Sequence, residues 1–335
     1  MKSTPSSSFA PSRRGVLTLT AASLLATLPG GLALAQGYPD RPVKVSVGFP
    51  PGTGPDTVAR IVGIKLGDKL RQPVTVENRA GAGGQIAVQL ATKTPADGYN
   101  VLLAEVGSIS IAPSAFENLR YDPLKELVAV TEVARANFLL VVPAHSPYKT
   151  VEEFVSGVKG RATKVNFATF GAGTPGHFGA ELFATQGGFK IEPVHYRSTG
   201  DAVSAIISGD AEAAFVTTAL GIAQLKGGKM RALATTANQR SALLPDLPTF
   251  AEAGLPKVNF SSWMAFFVPT GTPRAIVNSL NAAIVEVMGD AQVRNTLGEA
   301  GFQVLGSTQA EAEKMVKDEA QRWAEIVKGT GMKRF

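Results

Sequence analysis

Two glycine-rich segments of the chain combine residue types that bind anions. Residues 50–56 read Pro-Pro-Gly-Thr-Gly-Pro-Asp, and residues 170–176 read Phe-Gly-Ala-Gly-Thr-Pro-Gly. Each segment follows a strand-like pattern and precedes a helical one. The first N–H groups of a helix lack internal acceptors and, with the positive end of the helix dipole, attract an anion. We therefore predict that two loops face each other across a cleft and hold one anionic ligand; tight turns without a ligand are the alternative.

Polar side chains at the two helix starts are expected to organise these loops. Asp56 is placed to cap the first helix, and Thr174 to cap the second, with Pro175 at its first position. Gly54 lets the backbone turn sharply and come close to a bound ligand. His177 falls in the first turn of the second helix, where it either donates to the ligand or packs without touching it.

The elements around the first segment predict a parallel sheet. Strand patterns at residues 43–49, 74–76 and 100–104 alternate with helical patterns, which is a βαβαβ arrangement. Ligands of such sheets lie beyond the carboxyl ends of the strands. Ser108 follows the third strand, so we expect it beside Thr53 and Gly54.

The rest of the chain predicts a second α/β domain and a return to the first. An apolar strand at residues 138–142 begins the second domain, which continues with alternating strands and helices and includes a strand that ends at Thr217. An extended stretch at residues 259–268 then returns to the first domain. Because the chain passes twice between the two domains, we expect a hinge of two strands and a central cleft. We expect one domain of residues 37–137 plus 262–335 and a second of residues 138–261.

Composition excludes several classes of protein. The chain has 335 residues, of which 44% are hydrophobic and 18% charged, so it is globular. It contains no cysteine, which excludes disulfides, thiol catalysis and cysteine-bound metals. The formal charge is +6, but no basic cluster is interleaved with aromatic residues, which argues against nucleic acid as a partner.

The first 36 residues predict a cleaved export signal. Arg13 and Arg14 form a twin-arginine pair, residues 16–28 are modestly apolar, and Ala33-Leu-Ala35 is a small-x-small cleavage site. The apolar run is too short to anchor the chain in a membrane. We expect export to the periplasm by the twin-arginine route, with the ordinary secretory route as the alternative.

With these segments placed, the chain resembles the Bug family, the solute-binding receptors of tripartite tricarboxylate transporters. The resemblance covers the mature chain from end to end and rests on seven strings in order. They are residues 38–42 (Tyr-Pro-Asp-Arg-Pro), 50–52 (Pro-Pro-Gly), 77–84 (Glu-Asn-Arg-Ala-Gly-Ala-Gly-Gly), 95–99 (Pro-Ala-Asp-Gly-Tyr), 121–123 (Tyr-Asp-Pro), 173–175 (Gly-Thr-Pro) and 269–273 (Pro-Thr-Gly-Thr-Pro).

The resemblance implies a type II periplasmic binding protein fold and a small carboxylate ligand. In that family, backbone N–H groups, hydroxyls and waters of the two loops hold the ligand, with no catalytic residue, metal or cofactor. The positions expected to bind the ligand are Phe49, Thr53, Gly54, Pro55, Asp56, Ser108, Phe170, Gly171, Ala172, Gly173, Thr174, His177 and Thr217.

The chain departs from the family pattern at two places, the first loop and residues 195–200 (His-Tyr-Arg-Ser-Thr-Gly). The first loop lacks the common Gly-Gly-Ser or Gly-Gly-Thr before its Asp, so a hydroxyl contact of Thr53 is altered. Arg197 stands where a lysine is usual, and it either reaches the cleft or remains a surface cation. Phe49 and Phe170 flank the loops and suit an aromatic ligand body, with a core role as the alternative.

Rival functions are less well supported by the sequence. Residues 171–176 match the G-x-G-x-x-G of dinucleotide-binding proteins, but the acidic Glu192 lies at the wrong end of the next strand for ribose recognition. A hydrolase needs a nucleophile, a general base and an acid that orients the base, and the spacing of residues in this sequence indicates no such set. We expect a monomeric receptor that captures a small aliphatic or aromatic carboxylate and delivers it to membrane transporter subunits. The alternatives are a binding protein that signals to a sensor kinase and an exported hydrolase.

Overall fold

The strands and helices alternate along the chain as the sequence predicted. The computed structural model describes residues 1, 37–196, 198–329 and 334. The predicted export signal and Arg197 lie outside these residues. The strands are β1 (Val43–Val47), β2 (Val74–Asn78), β3 (Asn100–Glu105), β4 (Leu127–Pro143), β5 (Val165–Thr169), β6 (Ile191–His195), β7 (Ala213–Thr217), β8 (Met230–Thr235), β9 (Ser261–Pro269) and β10 (Gln303–Val304).

Helices connect these strands and pack against the sheet. They are α1 (Gly54–Leu70), α2 (Gln85–Ala91), α3 (Ala112–Ala115), α4 (Pro123–Glu126), α5 (Val151–Val158), α6 (Pro175–Gly187), α7 (Thr199–Ser208), α8 (Thr218–Lys226), α9 (Arg274–Gly289), α10 (Ala291–Glu299) and α11 (Gln309–Gly329). Within the described residues, no helix combines the length and the apolar character needed to span a membrane.

The strands form a mixed sheet in the order β2-β1-β3-β9-β4-β7-β5-β6. The predicted parallel pairs are present, since β1 lies parallel to β2 and β3, and β5 lies parallel to β6 and β7. The strands β4 and β9 run antiparallel to their neighbours at the centre. The sheet therefore has two wings with parallel pairing, one of β1, β2 and β3 and the other of β5, β6 and β7. The antiparallel strands β4 and β9 lie between them.

The long strand β4 joins the two wings. Its first part, up to Asn137, pairs with β9 and β10, and its second part, from Phe138, pairs with β7 and β8. The sequence predicted a strand only from residue 138, because Glu132 and Arg135 interrupt the apolar pattern before it. These two side chains pair with each other at 2.5 Å, which allows both charges in a largely buried strand.

The core is rich in phenylalanine and extends across the sheet. Phe183 and Phe215 meet edge to face with ring centroids 6.1 Å apart. Trp323 of α11 is fully buried, and its ring centroid lies 6.4 Å from that of Phe178 and 6.3 Å from that of Phe260. The carboxyl-terminal helix therefore packs on side chains from the middle of the chain, and residues 39–335 form one compact unit.

Candidate functional site

The first glycine-rich loop is held in place by a close backbone approach. A Cβ atom on Gly48 would lie 2.5 Å from Cα of Gly84, so a side chain at Gly48 would collide with that backbone. This approach brings the loop after β1 against the turn that precedes α2. The ring of Phe49 covers the other side of Gly84, and a Cβ atom there would lie 3.2 Å from it.

Asp56 organises the first loop, but from a different position than the sequence predicted. The cap of α1 is Thr53, whose side chain makes no capping hydrogen bond, and Asp56 lies in the first turn. Its Oδ2 accepts a hydrogen bond from the Gly52 N–H at 2.8 Å. The prediction of Asp56 as cap was wrong because Pro55 enters the helix and the carboxylate reaches back across the first turn.

Two further side chains hold the buried carboxylate of Asp56. Arg60 Nε donates to it at 3.0 Å and Asn78 Nδ2 at 2.8 Å, and Asn78 Nδ2 also donates to the Phe49 carbonyl. Desolvation works to raise the pKa of Asp56, but the hydrogen bonds from Arg60, Gly52 and Asn78 outweigh it and hold this pKa below its usual value. The negative charge of Asp56 is thus balanced within the loop.

The second loop is organised by neutral groups, and its cap is the predicted one. Thr174 is the N-cap of α6, its hydroxyl accepts from the His177 N–H, and Pro175 follows it. The hydroxyl also donates to the Gly171 carbonyl at 2.8 Å. Gly173 has a φ of 77°, and a Cβ atom there would lie 2.8 Å from the ring of Phe116, so this position requires glycine.

His177 is a buried support of the second loop. It is 1% exposed, and its Nδ1 accepts a hydrogen bond from the Gly173 N–H at 3.2 Å. Its ring lies 4.7 Å from that of His195. Burial, with a smaller effect of His195, lowers the pKa of His177 to about 4, so the imidazole is neutral at neutral pH. Packing behind the loop was one of the two roles expected for His177.

Both loops retain backbone donors that the rest of the fold leaves unused. Among the described residues, no acceptor is hydrogen-bonded to the backbone N–H groups of Gly54 and Asp56 in the first loop, or of Gly171, Ala172 and Thr174 in the second. Gly54, Gly171, Ala172 and Thr174 are partly exposed. These are the groups that an anion at two helix starts would require.

The first turn of α6 approaches the carboxyl end of β3. A Cβ atom on Gly107 would lie 3.9 Å from Cδ of Pro175. The next residue, Ser108, lies in a buried π-helical turn (Gly107–Ile111), and its hydroxyl donates to the Glu105 carbonyl at 3.3 Å. A Cβ atom on Gly84 would lie 3.4 Å from this hydroxyl, so the turn before α2 also approaches the end of β3.

Other predicted site residues lie at the edges of this region. Thr217 is the partly exposed cap of α8 and pairs with Phe138 in the sheet. Phe170 is half-buried and packs against the apolar cluster that contains Ala168 and Ile206. The Thr53 hydroxyl donates to the Pro50 carbonyl at 2.7 Å, so it supports its own loop.

The sequence analysis missed Glu105, the last residue of β3. Its carboxylate accepts a hydrogen bond from the Ser262 hydroxyl at 3.0 Å, and burial raises its pKa to about 7. A Cβ atom on Gly107 would lie 3.5 Å from its Oε1. The available signal was an acidic residue that follows the apolar run of residues 101–104 and lies two residues before the Gly-Ser that contains the predicted Ser108.

A broad surface hollow lies away from the predicted site residues. It is lined by Leu225, Arg231, Leu243 and their neighbours, beside the outer strand β8. None of the predicted ligand-binding residues lines it. In the described part of the chain, no group of three or more His, Asp or Glu side chains could hold a metal ion.

Comparison with known proteins identifies relatives over most of the chain. The family model described as tripartite tricarboxylate transporter family receptor, TctC, matches residues 58–332. Protein BugT of Bordetella pertussis is 33% identical over 300 residues, which cover 89% of this chain and 92% of that protein.

Solved structures of similar proteins share the fold. MatC from Rhodopseudomonas palustris, solved with bound malate, is 30% identical with a TM-score of 0.79, over 87% of this chain and 100% of that one. An R. palustris protein solved with adipate is 30% identical with a TM-score of 0.81, over 88% of this chain and 98% of that one. The resemblance and the fold class predicted from the sequence are confirmed, and the chain belongs to the tripartite tricarboxylate transporter receptor family of solute-binding proteins, with their type II periplasmic binding fold.

Proposed function

We propose that this receptor captures a small carboxylate between its two glycine-rich loops. The observation that carries the proposal is the set of unused N–H groups at the starts of α1 and α6. Backbone donors at two helix starts bind a carboxylate without a buried counter-charge, because the helix dipoles favour the anion. The malate and adipate in the two similar structures are carboxylates, which supports the same ligand class here.

The ligand is held by the positions expected from the resemblance, with their roles divided in two. The groups that contact it are backbone N–H groups of Gly54, Asp56, Gly171, Ala172 and Thr174. The residues that keep these groups in place, by their side chains or, at Gly173, by a backbone conformation that requires glycine, are supports. They are Phe49, Thr53, Pro55, Asp56, Ser108, Phe170, Gly173, His177 and Thr217.

Ligand capture is coupled to closure of two domains. One domain comprises residues 37–137 plus 262–335 and the other residues 138–261, and the division follows the change of β4 partners between Asn137 and Phe138. A ligand that contacts both loops stabilises the closed form, because only that form offers it both sets of donors.

The captured ligand is released to the membrane subunits of a tripartite tricarboxylate transporter, without chemical change. The receptor acts as a monomer in the periplasm, after export by the twin-arginine route. A role in signalling to a sensor kinase would use the same site. Deletion of the receptor gene separates these roles, since a transport receptor is needed for carboxylate uptake and a sensor is needed for a transcriptional response.

A pair of variants at Thr174 tests the second loop. Thr174 has a φ of −80°, which proline adopts, and its N–H has no acceptor within the described residues. Thr174→Pro therefore removes one donor, whereas Thr174→Ala removes the same hydroxyl contacts and keeps that donor. We expect thermal unfolding with malate and adipate to show ligand stabilisation in the wild type and in Thr174→Ala, and none in Thr174→Pro.

The size of the expected shift follows from mass action. A ligand at a hundred times its dissociation constant adds about 2.7 kcal/mol and raises the melting temperature by a few degrees. Equal ligand stabilisation of the two variants would exclude the Thr174 N–H from the site. Stabilisation by a sugar or a nucleoside, with none from a panel of aliphatic and aromatic carboxylates, would overturn the proposed ligand class.

A further inference from the structure

Among the described residues, none forms an ion pair with the carboxylate of Glu105. Ser262 donates the one hydrogen bond that it receives from the described residues, and none of their ion pairs includes it. Burial raises its pKa to about 7, with the bond from Ser262 acting weakly in the opposite direction. The residue is partly exposed, so a donor on a ligand can reach this carboxylate and offset the cost of its desolvation.

The position of Glu105 relates it to both proposed anion-binding loops. Its Oε1 lies 3.5 Å from a Cβ atom built on Gly107, and Pro175 Cδ lies 3.9 Å from the same point, so the start of α6 is close. Met264 pairs with Glu105 across the sheet, and its Cε lies 3.8 Å from a Cβ atom built on Gly54, the first residue of α1. The acid therefore lies where the two helix starts approach the end of β3.

No neighbouring element supplies a partner charge. The side chains of Ser262 and Met264 on β9 are uncharged, as is Ser108 in the turn after β3. In the first turn of α6 the titratable residue is His177, whose ring lies against His195 and Gly173 and is neutral. The groups that would otherwise balance Glu105 are absent from the described elements packed around it.

We propose that Glu105 sets the ligand specificity of the site by accepting a hydrogen bond from a donor group on the bound carboxylate. The donor is a hydroxyl or an ammonium group, and the inference rests on the proposed carboxylate site. The ligand's carboxylate binds the loop N–H groups, while its donor satisfies Glu105. A ligand without a donor leaves Glu105 uncompensated, and a second carboxylate placed beside it binds only with uptake of a proton.

Matched ligand sets test this inference by isothermal titration calorimetry on the whole mature protein at pH 8. Each set keeps one carbon skeleton and changes one substituent from hydrogen to hydroxyl to ammonium. The sets are propionate, lactate and alanine; succinate, malate and aspartate; and phenylacetate, mandelate and phenylglycine. In the set that binds, we expect a donor-bearing member to bind at least tenfold more tightly than the parent.

Variants at Glu105 assign the preference to this side chain. Glu105→Gln keeps an acceptor for Ser262 and for a hydroxyl but removes the charge, so it should lose an ammonium preference and keep most of a hydroxyl preference. Glu105→Ala should reduce either preference below threefold. Glu286→Gln, an exposed residue paired with Lys69, makes the same charge change and should leave the ligand ratios unaltered.

The outcomes separate this inference from the proposed function. If carboxylates bind but the parent equals its donor-bearing relatives, or if Glu105→Ala keeps the wild-type ratio, the role of Glu105 is wrong and the carboxylate site stands. If no member of any set binds and a broader carboxylate panel also fails, the proposed function is wrong as well. Melting curves and circular dichroism of each variant establish that it is folded.

Discussion

In the first glycine-rich loop an ionised carboxylate organises the backbone, whereas in the second loop a hydroxyl and a neutral imidazole do so. Asp56 accepts the Gly52 N–H and is balanced by Arg60. In the second loop, the Thr174 hydroxyl and the His177 imidazole accept hydrogen bonds from backbone N–H groups, and both side chains are uncharged. In both loops these side chains accept hydrogen bonds from some backbone N–H groups, and other N–H groups have no acceptor among the described residues.

In the proposed site, this difference leaves both loops without a net charge, so neither loop repels an anionic ligand. An unbalanced carboxylate in the first loop would repel an anionic ligand, and the Arg60 guanidinium offsets it locally. The second loop contributes no charge, because burial lowers the pKa of His177 to about 4. Attraction of the ligand is then left to backbone dipoles, which bind carboxylates of many shapes. In this proposal, selectivity comes from other side chains, and Glu105 is one that has no counter-charge within the described residues.

The largest expected effect is on the first loop. Asp56→Ala removes the acceptor of Gly52, Arg60 and Asn78 and should lower the free energy of unfolding by about 3 kcal/mol. Urea denaturation at pH 7 measures this loss. Asp56→Asn keeps an acceptor and loses the charge, so it should cost less than half as much. A loss under about 1 kcal/mol in Asp56→Ala would mean that the carboxylate is not the organiser of this loop.

An intermediate effect is expected from acid on the second loop. The folded-state pKa of His177 is lowered to about 4, so its contribution to stability is present above the unfolded pKa near 6.5 and is lost as pH falls towards 4. Between pH 7 and pH 5 the loss is about 2 kcal/mol. Asp56 has a lowered pKa too, but its contribution is lost only below pH 4.

Glu105 must be neutralised to observe this loss. Its pKa is raised to about 7, so its contribution to stability increases as pH falls below 7 and opposes that of His177 in the same window. Urea denaturation of Glu105→Gln at pH 7 and pH 5 removes this opposition. The lowered pKa of His195 and the raised pKa values of Glu132 and Glu181 still contribute, so the His177 share is the difference from the double variant. Adding His177→Asn, which retains an acceptor for Gly173, should flatten the pH dependence. An unchanged dependence in the double variant would assign it to other groups, of which His195 is the nearest.

The smallest effect distinguishes the two caps. Thr174 accepts a capping hydrogen bond and Thr53 does not, although both begin a helix. Thr174→Ala should therefore cost about 1 kcal/mol of unfolding free energy, and Thr53→Ala a few tenths. Thermal unfolding of the two variants side by side measures the difference. Equal losses would show that the Thr53 bond to the Pro50 carbonyl stabilises its loop as much as a cap does.

Local patterns predicted the strand β1, the start of α6 and the parallel strand pairs. The alternation of Val43, Val45 and Val47 predicted β1, and all three are buried. Thr174 and Pro175 predicted the start of α6 to the residue. These features depend on a few neighbouring residues, whose conformational preferences operate within one turn or one strand.

Local patterns failed where distant residues decide the outcome. The first half of β4 was missed, because its ion pair of Glu132 and Arg135 is tolerated only inside the strand contacts with β9 and β10. Asp56 was predicted as the cap, but Pro55 enters the helix before it, and the carboxylate is held by Asn78 of β2, which is distant in sequence.

By itself, the sequence determined the family, the α/β class and the two glycine-rich loops, because these follow from local periodicity and from short ordered strings. Only the tertiary structure decided which N–H groups remain available and that Glu105 lies beside them without a counter-charge. The physical reason is that hydrogen-bond satisfaction and desolvation depend on every group that packs around a site, and those groups come from β3, β9 and α6, far apart in the chain.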